Sequence, residues 1–90
     1  MATIHLLIKG EVQGVFFRAS AKEQADRLGV RGWVRNTRDG NVEIVASGAD
    51  QTLQQFVDWC GHGPPRAHVS EVISTPQPGK SFGEFSIARG

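Results

Sequence analysis

Ninety residues carrying ten Lys and Arg against nine Asp and Glu give a net charge of +1, too even a balance for a chain whose partner is nucleic acid or an anionic membrane. That length makes one small domain, residues 1–90, able to bury roughly 60 to 65 % of the surface its unfolded form exposes. A single cysteine, Cys60, excludes an internal disulfide or a cysteine-built metal centre and suits a cytoplasmic setting. Residues Met1 to Ile8 lack the basic leader and cleavage pattern of a signal peptide, and no apolar run reaches the length of a membrane helix.

Ile4, Leu6 and Ile8 recur with the period of a strand, which Gly10 is expected to end. The next stretch, GEVQGVFFRAS from Gly10 to Ser20, leads straight into a helical pattern. Gly10 and Gly14 permit a tight turn, so that several consecutive N–H groups can point into one concavity at the helix N-terminus. Such a cradle favours an anion, phosphate above all. Phe17, Ala21, Ala25 and Leu28 mark the buried stripe of the helix, Gly29 its end, and Arg18 lies in its first turn, where a planar guanidinium can close over two oxygens. Phe16 and Phe17 are expected to anchor the loop to the core.

Val30 to Asn36 reads as a second strand, marked by Trp33 and Val34, with Trp33 a packing residue. The DG turn within Thr37 to Gly40 joins it in a hairpin to a third strand bearing Val42, Ile44 and Ala46. Asp50 is expected to cap a second helix, whose Leu53, Phe56, Val57 and Cys60 stand at i, i+3, i+4, i+7, while Trp59 packs beside them. After Gly61, Gly63, Pro64 and Pro65, an extended stretch from Val69 to Ser74 lacks a clean period, as a bulged strand would. A loop from Thr75 to Gly83 precedes a short last strand at Phe85 and Ile87.

The order predicts an α+β fold, the ferredoxin-like split βαβ pattern (βαββαβ plus a short terminal strand), with a mixed sheet and both helices on one face. The first two strands then run parallel with the third between them. Their C-terminal ends share one edge of the sheet, which brings the Gly10 to Arg18 loop and Asn36 together.

No nucleotide-binding glycine motif is present. His5, His62 and His68 have no ligand spacing, so no metal and no cofactor is implied. Ser20 has no evident base, and a nucleophilic Cys60 would have to leave an apolar helix face. An anion cradle, one arginine and one amide remain, and for some reactions they suffice. Hydrolysis of a carboxyl phosphate expels a carboxylate whose conjugate acid has a pKa of about 4, so the leaving group needs no proton donor. The task reduces to holding the equatorial oxygens and bringing water in line with phosphorus. The loop and Arg18 suit the first, the carbonyl oxygen of Asn36 the second, with Thr37 the nearest alternative. The water's proton goes to the phosphate or to solvent. Arg31 reads as a solvated residue, and Arg35 and Arg38 as a solvated patch or a weak steering field.

GEVQGVFFR at Gly10 to Arg18, together with GWVRNTRDG at Gly32 to Gly40, resembles the two motifs of the acylphosphatases, and the resemblance runs over essentially the whole chain. It implies a cofactor-free, monomeric, cytoplasmic hydrolase of small acyl phosphates, releasing inorganic phosphate, with Arg18 and Asn36 as catalytic residues and Gly10, Glu11, Val12, Gln13, Gly14, Val15, Phe16, Phe17 and Arg18 as the phosphate loop. Glu11 stands where that family often carries a basic residue and is expected to face solvent. An anion-sensing or RNA-binding module of the same fold is the competing reading, but the third strand, NVEIVASG, lacks the basic aromatic signature that RNA binding requires. A domain of a larger carbamoyl-transferring protein is the third, and the initiating Met1 favours a complete chain over it.

Overall fold

The computed structural model describes residues 2–79 and 82–88. In chain order the elements are β1 (Ala2–Glu11), α1 (Phe17–Leu28), β2 (Arg31–Asn36), β3 (Val42–Gly48), α2 (Asp50–Cys60), β4 (His68–Pro76) and β5 (Ser86–Ile87). The five strands form one mixed sheet in the order β4-β1-β3-β2-β5, antiparallel throughout except for the β2–β5 pair. This is the predicted α+β, ferredoxin-like arrangement, with β1 and β2 parallel on either side of β3.

Alternation sorts the side chains of each strand onto two faces. Leu6 and Ile8 of β1, Val34 of β2 and Val42, Ile44 and Ala46 of β3 are buried with Phe17, Ala21 and Ala25 of α1 and Leu53, Phe56 and Cys60 of α2. Each large side chain removed from water in this layer contributes about 1.5–3 kcal/mol. Phe56 stacks on Trp59 at 6.4 Å and meets the edge of Phe85 at 5.7 Å, so the segment leading into β5 is fixed to the core by an aromatic anchor. Lys22 adds a second tie, its ammonium donating to the Phe85 carbonyl at 3.1 Å and to Asp26 at 2.9 Å.

The opposite face of the sheet carries paired polar groups. His5 Nε2 lies 2.7 Å from Glu43 Oε2, Arg35 Nε donates to Glu43 Oε1 at 2.5 Å, and the Arg35 guanidinium sits 5.9 Å from the centre of the Trp33 ring. Trp33 therefore lies on the face away from the helices, whereas Trp59 is half-buried and packs against the core, its ring 5.4 Å from that of Phe17. Burial works to raise the Glu43 carboxyl, but the hydrogen bonds from His5 and Arg35 together bring it below its ordinary value.

Strand starts differ from expectation by one residue at Arg31, His68 and Ser86, and three further differences have a physical reason. β1 continues through Gly10 to Glu11, because Gly10 lets β4 come close: a Cβ there would lie 2.1 Å from the His68 carbonyl oxygen. At that point Lys9 faces Glu71 but Gly10 faces Val69, so Ser70 is the extra residue of the bulge anticipated in the fourth strand. β4 itself runs on to Pro76, where a loop was expected from Thr75, and Lys80 and Ser81 of that expected loop lie outside the described residues. Asp50 does not cap α2. Ala49 occupies the cap position without a side-chain bond, and Asp50 is the first helical residue, where its carboxylate faces the positive end of the helix dipole.

Candidate active site

Because β1 and β2 are parallel, the segment after β1 and the last residue of β2 meet at one edge of the sheet. A cavity of about 360 Å³ opens there, with Val12, Gly14, Phe16, Phe17, Arg18 and Ala19 on one side and Asn36 and Ile87 on the other. Its size is at the small end of ligand pockets. Val12 and Phe17 are buried and form its apolar base. Gly14 has φ 75 with nothing within 4 Å of where a Cβ would stand, so glycine is needed there for conformation alone.

Among the described residues no backbone carbonyl accepts from the amides of Gln13, Gly14, Val15 or Phe16. The first turn of α1 adds its own orphan amides, since the first bond to return is Ser20 N–H to the Phe16 carbonyl at 3.0 Å. The result is a row of free donors at a helix N-terminus, where the dipole adds positive potential. Arg18 is exposed and Asn36 half-buried, and among the described residues neither side chain has a hydrogen-bond or ion-pair partner.

The other predicted residues divide clearly. Gly10 and Glu11 belong to β1, paired with Val69 and His68, and do not line the cavity; Glu11 is exposed to solvent. Val15 is half-buried and packs against the core. Gln13 turns away from the cavity, its Nε2 donating to the carbonyls of Thr37 at 2.7 Å and Asn41 at 2.8 Å. That side chain fastens the loop to the β2–β3 turn, hence to the strand end that carries Asn36. Thr37 is engaged in the same turn, its hydroxyl accepting from the Asn41 amide at 3.1 Å, and is not part of the lining.

Phe16 reverses an expectation. Phe17 anchors the loop as anticipated, but Phe16 is 75 % exposed and, at φ 66, is the one described non-glycine residue in left-handed backbone. That conformation costs about 1–2 kcal/mol for a side chain with a Cβ. Ile87 was read only as a strand residue, yet it too lines the cavity. Parallel pairing sets it beside Val34, two residues before Asn36 and on the same, helix-covered side. Cys60 is fully buried, and burial pushes its thiol far above the ordinary range, away from nucleophilic use. Arg35 is held by Glu43 on the other face of the sheet and does not line the cavity.

Fold and cleft together define a ferredoxin-like α+β domain whose glycine-containing loop presents unpaired donors at the edge shared by two parallel strands. A family model for acylphosphatases matches residues 4–87. An acylphosphatase of Anaeromyxobacter sp. is 51% identical over 88 residues, covering 97% of this chain and 95% of that one. Among solved structures, the acylphosphatase from Bacillus subtilis superposes with a TM-score of 0.94 at 36% identity, over 98% of this chain and 99% of that one. The acylphosphatase from Coxiella burnetii gives 0.93 at 37% identity, over 97% and 92%. The chain belongs to the acylphosphatase family. Its substrates are acyl phosphates, and inorganic phosphate is a product.

Proposed function

We propose that Arg18 and Asn36 divide the hydrolysis of small acyl phosphates between them, without a metal. The amides from Gln13 to Arg18 and the Arg18 guanidinium hold the phosphoryl oxygens, a task suited to bidentate geometry. Asn36 accepts a hydrogen bond from water and aims it at phosphorus, opposite the acyl oxygen. The water oxygen bonds to phosphorus, the phosphorus–acyl oxygen bond breaks, and the electron pair leaves on the carboxylate. The water's proton passes to a phosphoryl oxygen or to solvent. Positioning and charge stabilisation carry the reaction, because the carboxylate departs without a proton.

The observation that carries this reading is the convergence of unpaired donors, Arg18, Asn36 and the loop amides, on one small cavity, while His5, Glu43 and Arg35 on the other face of the sheet pair with one another. Independence from metal is supported by the donor set, since no group of three or more His, Cys, Asp or Glu gathers among the described residues. The protein acts on its small substrate as a cytoplasmic monomer, without nucleic acid. The near-neutral charge supports this, as does the buried thiol. No described helix is long and apolar enough to cross a membrane. Benzoyl phosphate hydrolysis measured in EDTA tests the reading: undiminished turnover is expected, and activity restored only by added divalent metal would refute it.

A further inference from the structure

The floor of the cavity is held from beneath by an element that does not line it. Phe17, the first residue of α1, is buried, and two groups from the end of α2 and its connection to β4 close on its ring. Trp59 stands 5.4 Å away between ring centres, and Gly63 lies against the ring in left-handed backbone at φ 69. A Cβ at Gly63 would be 2.7 Å from Phe17 Cε2 and 3.1 Å from the Ala67 Cβ, well inside van der Waals contact. Gly29 offers the contrast: at φ 71 it has the same backbone, with nothing within 4 Å of where a Cβ would stand. Gly63 therefore meets two demands, a conformation and a space, and Gly29 only the first.

Neither partner of this contact yields easily. The Gly63 amide donates to the Trp59 carbonyl at 2.8 Å and the Ala67 amide to the Pro64 carbonyl at 2.9 Å, with Pro64 and Ala67 buried. The Phe17 ring is boxed in by the core and by Trp59, which itself stacks on Phe56. The loop above is strained, since Phe16 keeps a left-handed backbone that a side chain disfavours and gains no burial by it. Such a conformation persists where its neighbours impose it. Gln13 pins the start of the loop to the β2–β3 turn, and the Phe17 ring pins its end. We propose that Gly63 is a positioning residue for phosphate: the socket that it and Trp59 make for Phe17 holds the loop amides and Arg18 in their anion-receiving arrangement. This rests on the assignment of the phosphoryl group to the loop and Arg18. A change at the α2–β4 connection then alters phosphate affinity although Gly63 does not line the cavity, and bound phosphate in turn steadies the connection.

Gly63→Ala is tested beside Gly29→Ala, which meets the same left-handed backbone without the ring contact. Calorimetry at a temperature where each variant is folded should show the Kd for inorganic phosphate raised about tenfold in Gly63→Ala and within about twofold of the wild type in Gly29→Ala, although both lose stability. In a Phe17→Leu background the added Gly63→Ala should cost less than about threefold, because the smaller side chain leaves room for the methyl. Hydrogen exchange on the wild type gives the reciprocal reading and needs no variant to fold. Saturating phosphate should slow the Gly63 and Ala67 amides at least about fivefold more than that of Val30, whose amide bonds the Ala25 carbonyl at the far end of α1. Wild-type affinity in Gly63→Ala, equal losses in the two glycine variants, or exchange at the connection slowed no more than at Val30 would overturn the proposal and leave the loop as the phosphate site. Phosphate binding that survives Arg18→Ala unchanged would sink that site and the proposal together.

Discussion

Arg18 and Arg35 stand near opposite faces of one sheet and have opposite circumstances. Arg35 is closed in a set that is complete within the chain: Glu43 accepts from it and faces His5, while Trp33 lies beneath its guanidinium. Arg18 has the same five donors and among the described residues no acceptor, at a helix end already rich in free amides. The contrast separates two uses of the same side chain. A satisfied arginine ties neighbouring strands together, and an unsatisfied one at a concave edge is free to meet a ligand.

The largest expected effect breaks the site and leaves the sheet intact. Arg18→Ala should lower kcat/KM for an acyl phosphate about a thousandfold or more and abolish stabilisation by phosphate, with the melting temperature in plain buffer little changed. Arg18→Lys should be nearly as damaging, because an ammonium lacks the two-pronged geometry. Arg35→Ala should do the reverse, costing less than about 1 kcal/mol of stability and leaving turnover within about twofold, as denaturation and kinetics on the same preparation would reveal.

A middle effect is expected at the link between the regions. Gln13→Ala removes two hydrogen bonds that tie the loop to the turn beyond Asn36, costing about 1–2 kcal/mol of stability and about tenfold in kcat. An alanine variant with normal kcat would show that the loop keeps its aim without the tie.

The smallest effect is one of pH. Glu43 is held below its ordinary value of 4.5, so its contribution is fully present above that pH and is lost as acid carries the solution down through the folded-state value. Acid titration of stability should therefore be shallower below about pH 4.5 in Glu43→Gln than in the wild type, with no difference in turnover near neutrality. Equal acid slopes would mean that the His5–Glu43–Arg35 set adds nothing to folding.

Periodicity made most of the architecture legible, since Ile4, Leu6 and Ile8 or Leu53, Phe56, Val57 and Cys60 declare their faces within a few residues. The cleft was legible only where the local chain carries it. Arg18 in a first helical turn and Asn36 at a strand end follow from topology. Gln13 does not, because its acceptors lie 24 and 28 residues away, and a glutamine gives no sign of which distant carbonyl it will meet. Phe16 misled because an apolar residue beside Phe17 suggests core, whereas the backbone turns left-handed between them. The Phe-Phe pair itself held the signal: the alternation that buries Phe17 at the helix start leaves its neighbour facing out. Ile87 became a cavity residue only through the parallel β2–β5 pairing, a register that the two-residue strand cannot announce. Gly10 likewise answered to its neighbour β4 and not to the loop.

The central claim is that holding phosphate and aiming water are separate tasks of separate strands, and Asn36→Ala tests it most directly. Turnover, phosphate affinity and melting temperature are measured on one preparation. Turnover is expected to fall about a hundredfold or more, while phosphate at a hundredfold excess over its dissociation constant still stabilises the fold by about 2.7 kcal/mol, as it does in the wild type. A folded Asn36→Ala protein that turns over at the wild-type rate, its melting temperature lowered by a lost turn residue alone, would contradict the account.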